Sequence, residues 1–307
     1  MPAWYNQNRP GSVQRMALCS YYAWFAKHPP GILYKPYRMR DAAEEQLVMS
    51  WEHVLPEEDL RYFKENISLL EDRVFQNFPE GYKNPEILSA IRSVPRHFFV
   101  NQGYKALAYT DNALPTCGDL TTSAPSVIAQ VIFQTGVARG DRLLEIGTGT
   151  GYQAAVLAEM GVKVFTIEID GPAVETADRV LVRLGYKMEK RLTYSHRRLD
   201  SLRRYGAIRR VFPQREPITL YYGNGQEGLA EKSPFKAIIV AASVPHVREV
   251  WHLTEQLSTA KGRMVVPVGD RNEQSLVIIQ RSGERFDLFT LEGISFNFLR
   301  MVRGKRG

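Results

Sequence analysis

The sequence predicts an α/β protein with a mostly parallel central sheet, helices on both faces of the sheet and an antiparallel C-terminal strand. The first observation is an apolar run at 143–146 that is followed by alternate glycines and then by a helical pattern. The second is the alternation of strand-like and helix-like segments further along the chain, which is typical of crossover units in a parallel sheet. The third is the alternating pattern of 286–299, which predicts one or two antiparallel strands.

The predicted elements begin with two helices. Residues 1–60 are predicted to be an irregular extension, rich in aromatic side chains that we expect to pack on the domain of 61–307 or on a partner. A helical pattern over 56–74 has acidic residues in its first turn, and a second one over 84–91 begins with Asn84 and a proline.

Two loop-like segments, 94–100 and 108–115, come next. Residues 121–125 then lead into a helix that Gly136 ends, because glycine readily takes the left-handed conformation found after helix C-termini. The predicted strands beyond the alternate glycines are 162–170, 218–222, 237–241, 263–268 and 274–280, and the predicted helices are 171–184 and 246–257. Helices on both faces of the sheet are the layered arrangement that buries these segments.

The alternate glycines after the first strand indicate the kind of ligand. A dinucleotide-binding loop has glycine at its first, third and sixth places, but Tyr152 occupies the sixth place here. Gly147, Gly149 and Gly151, preceded by Glu145, instead form the pattern of class I methyltransferases, whose Rossmann-like fold binds S-adenosylmethionine. The carboxylate of Glu145 can favour the cationic methionine end of that cofactor, directly or through water. The alternative is an ordinary glycine turn near two acidic residues.

The next predicted strand supplies a second acidic residue. Glu168 follows Gly147 by 21 residues, where a carboxylate can accept hydrogen bonds from both ribose hydroxyls. The alternative is a surface acid at the end of a strand.

The composition is that of a globular chain that can bury a large core. Apolar residues make up 44% of the 307 residues and charged residues 24%, and no apolar run approaches the roughly 18 residues that a membrane span needs. Only two cysteines are present, Cys19 and Cys117, which argues for a reducing compartment. We therefore expect a cytoplasmic protein without membrane contact. The mitochondrial alternative rests on residues 1–40, which hold six basic and no acidic side chains.

Residues 187–216 form a predicted basic insert. They contain ten Lys or Arg and three acidic residues, an excess equal to the net charge of +7 of the whole chain. The insert is either solvated or a contact for RNA, for an acidic protein or for a ribonucleoprotein. His97, His196 and His246 lack metal-ligand spacing, so no metal site is predicted.

Several separated motifs together resemble the protein-L-isoaspartate (D-aspartate) O-methyltransferase family over about 84–300, the insert excepted. The motifs that carry the resemblance are 94–96, 99–100, 108–115, 121–125, 145–153, 164–168, 223–225, 235–240 and 262–269. Ordinary methyltransferases share the glycine loop but lack the upstream Ser123-Ala124-Pro125 and the C-terminal run.

The resemblance implies a carboxyl methyltransferase that uses S-adenosylmethionine and acts on isoaspartyl residues of proteins or peptides, a repair activity. It assigns catalysis to Ser123 and substrate binding to Thr121 and Thr122. The cofactor residues that it implies are Glu145, Gly147, Thr148, Gly149, Thr150, Gly151, Glu168, Ile169, Asn224 and Gly225. The free α-carboxylate of an isoaspartyl residue is already ionised at pH 7, so no strong base is needed. Ser123 can alternatively cap the following helix, and both roles can coexist.

Three positions depart from the family pattern. Leu120 replaces a glutamine beside the substrate loop, Asn224 replaces an aspartate near the adenine, and Ala241 replaces a threonine after the fourth strand. Two alternatives follow from these departures. One is a related methyltransferase with another carboxylate substrate. The other is a methyltransferase-like scaffold with weak or no turnover that docks on RNA or a ribonucleoprotein through the insert and the extension.

Overall fold

The computed structural model describes residues 51–70, 84–186, 188–192, 217–270 and 273–292. Within these residues, eight strands form one sheet. The strands are β3 (Arg142–Ile146), β4 (Lys163–Glu168), β5 (Met188–Leu192), β6 (Ile218–Tyr222), β7 (Ala237–Val240), β8 (Ala260–Gly269), β9 (Gln274–Ser282) and β10 (Arg285–Glu292). Their order in the sheet is β10-β9-β8-β7-β3-β4-β6-β5. Neighbouring strands are parallel except for the pairs β8–β9 and β9–β10. The predicted α/β class is confirmed.

Five of the six predicted helices are present among the described residues. They are α1 (Glu57–Leu70), α2 (Pro85–Ser93), α3 (Pro125–Thr135), α4 (Tyr152–Glu159) and α5 (Gly171–Arg183). The side chain of Asn84 accepts hydrogen bonds at the start of α2, and Gly136 ends α3 in the left-handed conformation. Helices cover the central strands, which explains why β7 is buried at each of its four positions and reads as a continuous apolar run.

One predicted helix differs. Residues 246–257 form two short 3₁₀ segments, Val247–Glu249 and Trp251–Gln256, in place of an α-helix. Val250 between them has φ −118° and ψ 5°, outside the helical region, so the hydrogen-bond ladder is interrupted. The side chain of Gln256 instead accepts a hydrogen bond from the backbone N–H of Leu229 at 2.8 Å.

The predicted loops hold more structure than expected. Two 3₁₀ turns, Arg96–Phe98 and Gln102–Leu107, lie in the first part of this region. Strands β1 (Leu114–Pro115) and β2 (Thr121–Thr122) then pair antiparallel in a hairpin. Strands of two residues are too short to show a periodic pattern in the sequence.

The first described residues of the predicted basic insert are part of the sheet. Strand β5 pairs in parallel with β6 and forms the edge of the sheet. Charged residues are common on edge strands, which explains why Met188–Leu192 lacks an alternating apolar pattern. Residues 193–216 of the insert, residues 1–50 of the extension and 293–299 of the tail lie outside the described residues, so the domain bounds remain a prediction. Among the helices described, none is long and apolar enough to cross a membrane.

Candidate active site

The glycine loop joins β3 to α4 and leaves an open space at its centre. Gly149 has φ 54°, and no atom of the described residues lies within 4 Å of a Cβ atom placed on it. Gly151 has φ 91°, and a Cβ there would lie 2.9 Å from Leu181 of α5. Gly151 therefore permits close packing, whereas Gly149 borders space that a ligand can occupy. Gly147 opens the loop and lies close to Ala241, whose Cβ is 3.5 Å from the position of a Cβ on Gly147.

Glu168 ends β4 with its carboxylate fixed beneath this loop. Its Oε2 accepts a hydrogen bond from the N–H of Gly149 at 2.8 Å, and its Oε1 accepts from the N–H groups of Ile169 and Asp170 at 2.8 and 2.9 Å. Burial raises the pKa of Glu168, and the three N–H bonds oppose that rise. A carboxylate has about four acceptor positions, so one position on Oε2 remains for a ligand hydroxyl.

Glu145 is enclosed inside the protein. Its side chain is 0% exposed, Gln153 donates to Oε1 at 2.9 Å, and the Thr166 hydroxyl donates to Oε2 at 2.6 Å. The hydroxyl of Thr148 lies 2.6 Å from that of Thr166. Burial raises the pKa of Glu145 to about 7. With no exposed surface, this carboxylate has no direct access to a ligand, so the direct contact that the sequence allowed is excluded.

The other predicted cofactor residues lie around the same edge. The Thr150 hydroxyl is buried and donates to the carbonyl oxygen of Phe99 at 2.7 Å, so it ties the glycine loop to the upstream segment. The amide of Asn224 pairs with Gln226, with Nδ2 donating to Oε1 at 2.9 Å and Oδ1 accepting from the backbone N–H at 3.1 Å. A Cβ on Gly225 would lie 2.6 Å from Ile146, so this glycine permits packing against β3.

The predicted substrate residues lie at the end of the hairpin. Thr121 is exposed and Thr122 is 9% exposed, as expected for neighbours that point to opposite sides of a strand. Ser123 is half-buried, and within the part of the chain described no side chain or backbone group hydrogen-bonds to its hydroxyl. Among the described residues, nothing occupies that hydroxyl.

The alternative role of Ser123 as a helix cap is wrong. Ala124 is the N-cap of α3, and it makes no side-chain capping bond. An acceptor for the first turn of α3 comes from another segment: Oδ1 of Asp111 accepts a hydrogen bond from the backbone N–H of Ser126 at 2.9 Å. The residue before a helix-starting proline is held extended, so the cap falls one residue later than the sequence suggested.

Arg96 lies in the motif 94–96 that carries the resemblance, but the sequence assigned it no role in the site. Its fully buried guanidinium donates to the carbonyl oxygens of four residues, which are Ala108 at 2.8 Å, Thr110 at 3.3 Å, Asn112 at 2.8 Å and Ser123 at 3.0 Å. Its Cζ also lies 5.5 Å from the ring centre of Tyr152 at the start of α4. The available signal was an arginine in an apolar run followed by irregular segments, whose buried carbonyls need donors.

The structure thus brings the predicted substrate and cofactor residues towards one edge. The loops after β3, β4 and β6 lie at the carboxyl ends of parallel strands, where α/β sheets bind ligands. The end of the hairpin is tied to this edge by hydrogen bonds: Arg96 donates to the carbonyl oxygen of Ser123, and Thr150 of the glycine loop donates to that of Phe99. Burial raises the pKa of the Cys117 thiol, and the carboxylate of Asp170 raises it further. Leu120 in the hairpin turn is half-buried, and its backbone pairs with Thr116 and Cys117.

Comparisons with known proteins agree with this arrangement. Residues 71–300 match the model of the family described as protein-L-isoaspartate (D-aspartate) O-methyltransferase. The protein-L-isoaspartate O-methyltransferase of Methanospirillum hungatei is 36% identical over 206 residues, which cover 67% of this chain and 81% of that protein. Protein-L-isoaspartate O-methyltransferase 2 of Geotalea uraniireducens is 31% identical over 239 residues, 77% of this chain and 95% of that protein.

Two solved structures share the fold. A protein-L-isoaspartate O-methyltransferase superposes with a TM-score of 0.59 at 25% identity, covering 78% of this chain and 66% of the other. A Plasmodium falciparum protein, described as a putative enzyme of the same kind in complex with S-adenosyl-L-homocysteine, superposes with a TM-score of 0.55 at 18% identity, covering 76% and 98%. From the family match and the extent of the relatives' similarity, the chain belongs to the protein-L-isoaspartate (D-aspartate) O-methyltransferase family.

Proposed function

We propose that this protein transfers a methyl group from S-adenosylmethionine to the free carboxylate of isoaspartyl residues in proteins or peptides. The observation that carries the proposal is a hydrogen-bonded link between the glycine loop and the turn that holds Ser123. Phe99 accepts a hydrogen bond from Thr150 of the glycine loop, and Arg96, three residues earlier, donates to the carbonyl of Ser123. One short segment therefore holds together the glycine loop and Ser123, whose hydroxyl has no hydrogen-bond partner among the described residues.

The residues present fit the cofactor. Gly149 borders open space, and Glu168 keeps one acceptor position for a ribose hydroxyl beside it. Asn224 and Gly225 follow the neighbouring strand β6, where the family resemblance puts the adenine. When bound, the cofactor would supply an electrophilic methyl group on a sulfonium.

The protein's own contribution is to bind and orient. The substrate carboxylate is ionised at neutral pH and needs no base. We assign to the Ser123 hydroxyl a hydrogen bond to one oxygen of that carboxylate, which leaves the other oxygen free to approach the methyl group. Thr121 and Thr122 lie next to it in the hairpin and are proposed to contact the peptide. Alignment and exclusion of water then provide most of the rate enhancement.

Two finer statements remain predictions. Contact with RNA through 187–216 depends mainly on residues 193–216, which lie outside those described, and no contact of the described residues supports it. A cytoplasmic location, or the mitochondrial alternative, is likewise expected from the sequence alone.

The proposal is tested with two synthetic peptides of identical sequence, one with an isoaspartyl residue and one with an ordinary aspartyl residue. We expect radiolabelled methyl groups from S-adenosylmethionine to appear on the isoaspartyl peptide and not on its aspartyl control. Methylation of both peptides at the same rate would contradict the proposed substrate, and methylation of neither would contradict the activity.

A further inference from the structure

We propose that Arg96 and Asp111 act as a pair of positioning residues, the loop clamp, that hold the turn of Ser123 to Ser126 in the geometry needed for methyl transfer. The inference rests on the proposed function, because it gives the clamp its purpose. Neither residue is expected to touch the substrate. Each acts through the backbone of the turn that presents the Ser123 hydroxyl.

Arg96, the first member of the loop clamp, hydrogen-bonds to a carbonyl oxygen of the turn. Nη2 of Arg96 donates to Ser123 at 3.0 Å and to Asn112 at 2.8 Å, while Nη1 donates to Ala108 at 2.8 Å. These acceptors lie in two segments separated by the hairpin. A planar guanidinium offers its donors in a fixed fork, so it fixes the distance between the segments and the orientation of the Ser123 peptide.

Asp111, the second member of the loop clamp, hydrogen-bonds to a backbone N–H of the turn. Oδ1 of Asp111 accepts the N–H of Ser126 at 2.9 Å, in the first turn of α3. Ala124, the N-cap of that helix, offers no side-chain acceptor. The carboxylate of Asp111 therefore does what a capping residue does. The turn is anchored at two points, the carbonyl group of Ser123 and the backbone N–H of Ser126.

The electrostatics fit a positioning role better than a stabilising one. Burial lowers the pKa of Arg96, and the neighbouring tyrosines and the Asp111 carboxylate oppose this. Removing a charge from water is costly, and buried charges add little net stability compared with apolar packing. A buried arginine bonded to four carbonyl groups is best explained by the geometry that it fixes.

The clamp is also attached to the cofactor side. The Arg96 guanidinium lies over the ring of Tyr152, which begins α4 directly after the glycine loop, and the ring of Phe99 lies 5.5 Å from that of Tyr152. A shift of Arg96 would therefore move the Ser123 turn relative to the glycine loop. Misplacement of reacting groups by about 1 Å can cost roughly a hundredfold in rate.

The decisive experiment uses Asp111→Ala and its conservative counterpart Asp111→Asn. We expect the alanine variant to lose roughly tenfold or more in kcat/KM for the isoaspartyl peptide, with the Kd for S-adenosylhomocysteine within about threefold of wild type. The asparagine variant should recover most of the activity, because an amide oxygen accepts the same N–H.

The matched control is Asn84→Ala, which removes a cap from α2, where Asn84 accepts from Glu86 and Ile87 at 2.9 and 3.2 Å. It should lower the melting temperature about as much as Asp111→Ala and leave kcat/KM unchanged. Equal kcat/KM for Asp111→Ala and the control would overturn the clamp, as would failure of asparagine to restore activity.

Arg96→Lys tests the other half, measured well below its melting temperature. One ammonium cannot occupy the positions of both Nη1, which donates to Ala108, and Nη2, which donates to Asn112 and Ser123. The planar fork is lost, so kcat/KM should fall at least roughly tenfold; a folded variant with wild-type kcat/KM would refute the inference. If this variant does not fold, the Asp111 pair decides. A wild-type protein that binds S-adenosylhomocysteine but leaves the isoaspartyl peptide unmethylated would instead overturn the proposed function itself.

Discussion

The guanidinium of Arg96 donates a hydrogen bond to the carbonyl oxygen of Ser123 across 3.0 Å and 27 residues of sequence. This contact links the irregular segment before the hairpin to the turn after it. Neither segment has a strand or helix long enough to satisfy its own carbonyl groups, so a buried multiple donor replaces the missing backbone bonds. The position of Ser123 therefore depends on a residue remote in sequence.

Ser123→Ala should lower methyl transfer to an isoaspartyl peptide by roughly tenfold to a hundredfold. The expected loss is that of one hydrogen bond to a charged group, about 1.5–3 kcal/mol. Because Ala124 and not Ser123 is the helix cap, the variant should keep its melting temperature. Initial rates and thermal unfolding measure the two quantities.

Ser126→Ala is the matched control for that prediction. Ser126 is also half-buried, and its contact with Asp111 uses the backbone N–H, which alanine retains. Its activity should stay near wild type. An equal rate for wild type and Ser123→Ala would remove Ser123 from the chemistry.

Gly149→Val should abolish binding of S-adenosylmethionine. The branched side chain would enter the space that borders the glycine loop, and valine is strained at a φ of 54°. Gly140→Val controls for the strain. Gly140 has φ 86°, and no atom of the structure's described part lies within 4 Å of a Cβ placed on it, but it lies in the turn before β3. Calorimetric titration should find binding to the control only, and an unchanged affinity of Gly149→Val would contradict the cofactor assignment.

The sheet could be predicted from the sequence because its strands carry strong local signals. The apolar runs at Ile218–Tyr222 and Ala237–Val240 are buried on both faces, so they are visible without knowing their neighbours. The edge strand Met188–Leu192 was missed. It is held by backbone pairing with its neighbour, and its sequence has no alternating apolar pattern to detect.

The sequence predicted which residues form the site better than it predicted their contacts. The glycine loop and Glu168 follow from spacing, and the structure places them together through a 2.8 Å bond. The enclosure of Glu145 and the anchoring of Thr150 to Phe99 could not be read from spacing, because both depend on residues brought close only by the fold. The contacts of Arg96, which the sequence placed only in a motif, could not be inferred for the same reason.

Glu168→Gln should weaken cofactor binding by roughly tenfold or more. The carboxylate accepts N–H bonds on both oxygens, from Gly149 on one and from Ile169 and Asp170 on the other. An amide replaces one of these acceptors with a donor, which leaves a buried N–H unpaired at a cost of about 1–3 kcal/mol. Asp170→Asn is the control: it removes the same charge two residues away but keeps an oxygen that can accept from Ala173. Equal affinities of the two variants would contradict the role of Glu168.

Glu145→Gln should stabilise the protein at pH 8 and have little effect at pH 4.5. Burial raises the folded-state pKa of Glu145 from its ordinary value of 4.5 to about 7. Between these values the folded state holds a proton that the unfolded state has released. Stability from this group is therefore present below pH 4.5 and is lost as the pH rises to about 7.

The largest gain expected from the substitution is about 3 kcal/mol, the equivalent of the whole pKa difference. Glutamine preserves the local bonds, because its oxygen accepts from Gln153 and its amide can donate to the Thr166 hydroxyl, which then donates to Thr148. Urea unfolding at both pH values measures the difference, with Glu58→Gln on the exposed face of α1 as a control for losing one carboxylate. A destabilised variant at pH 8 would mean that the ionised form of Glu145 is held more favourably than its burial implies.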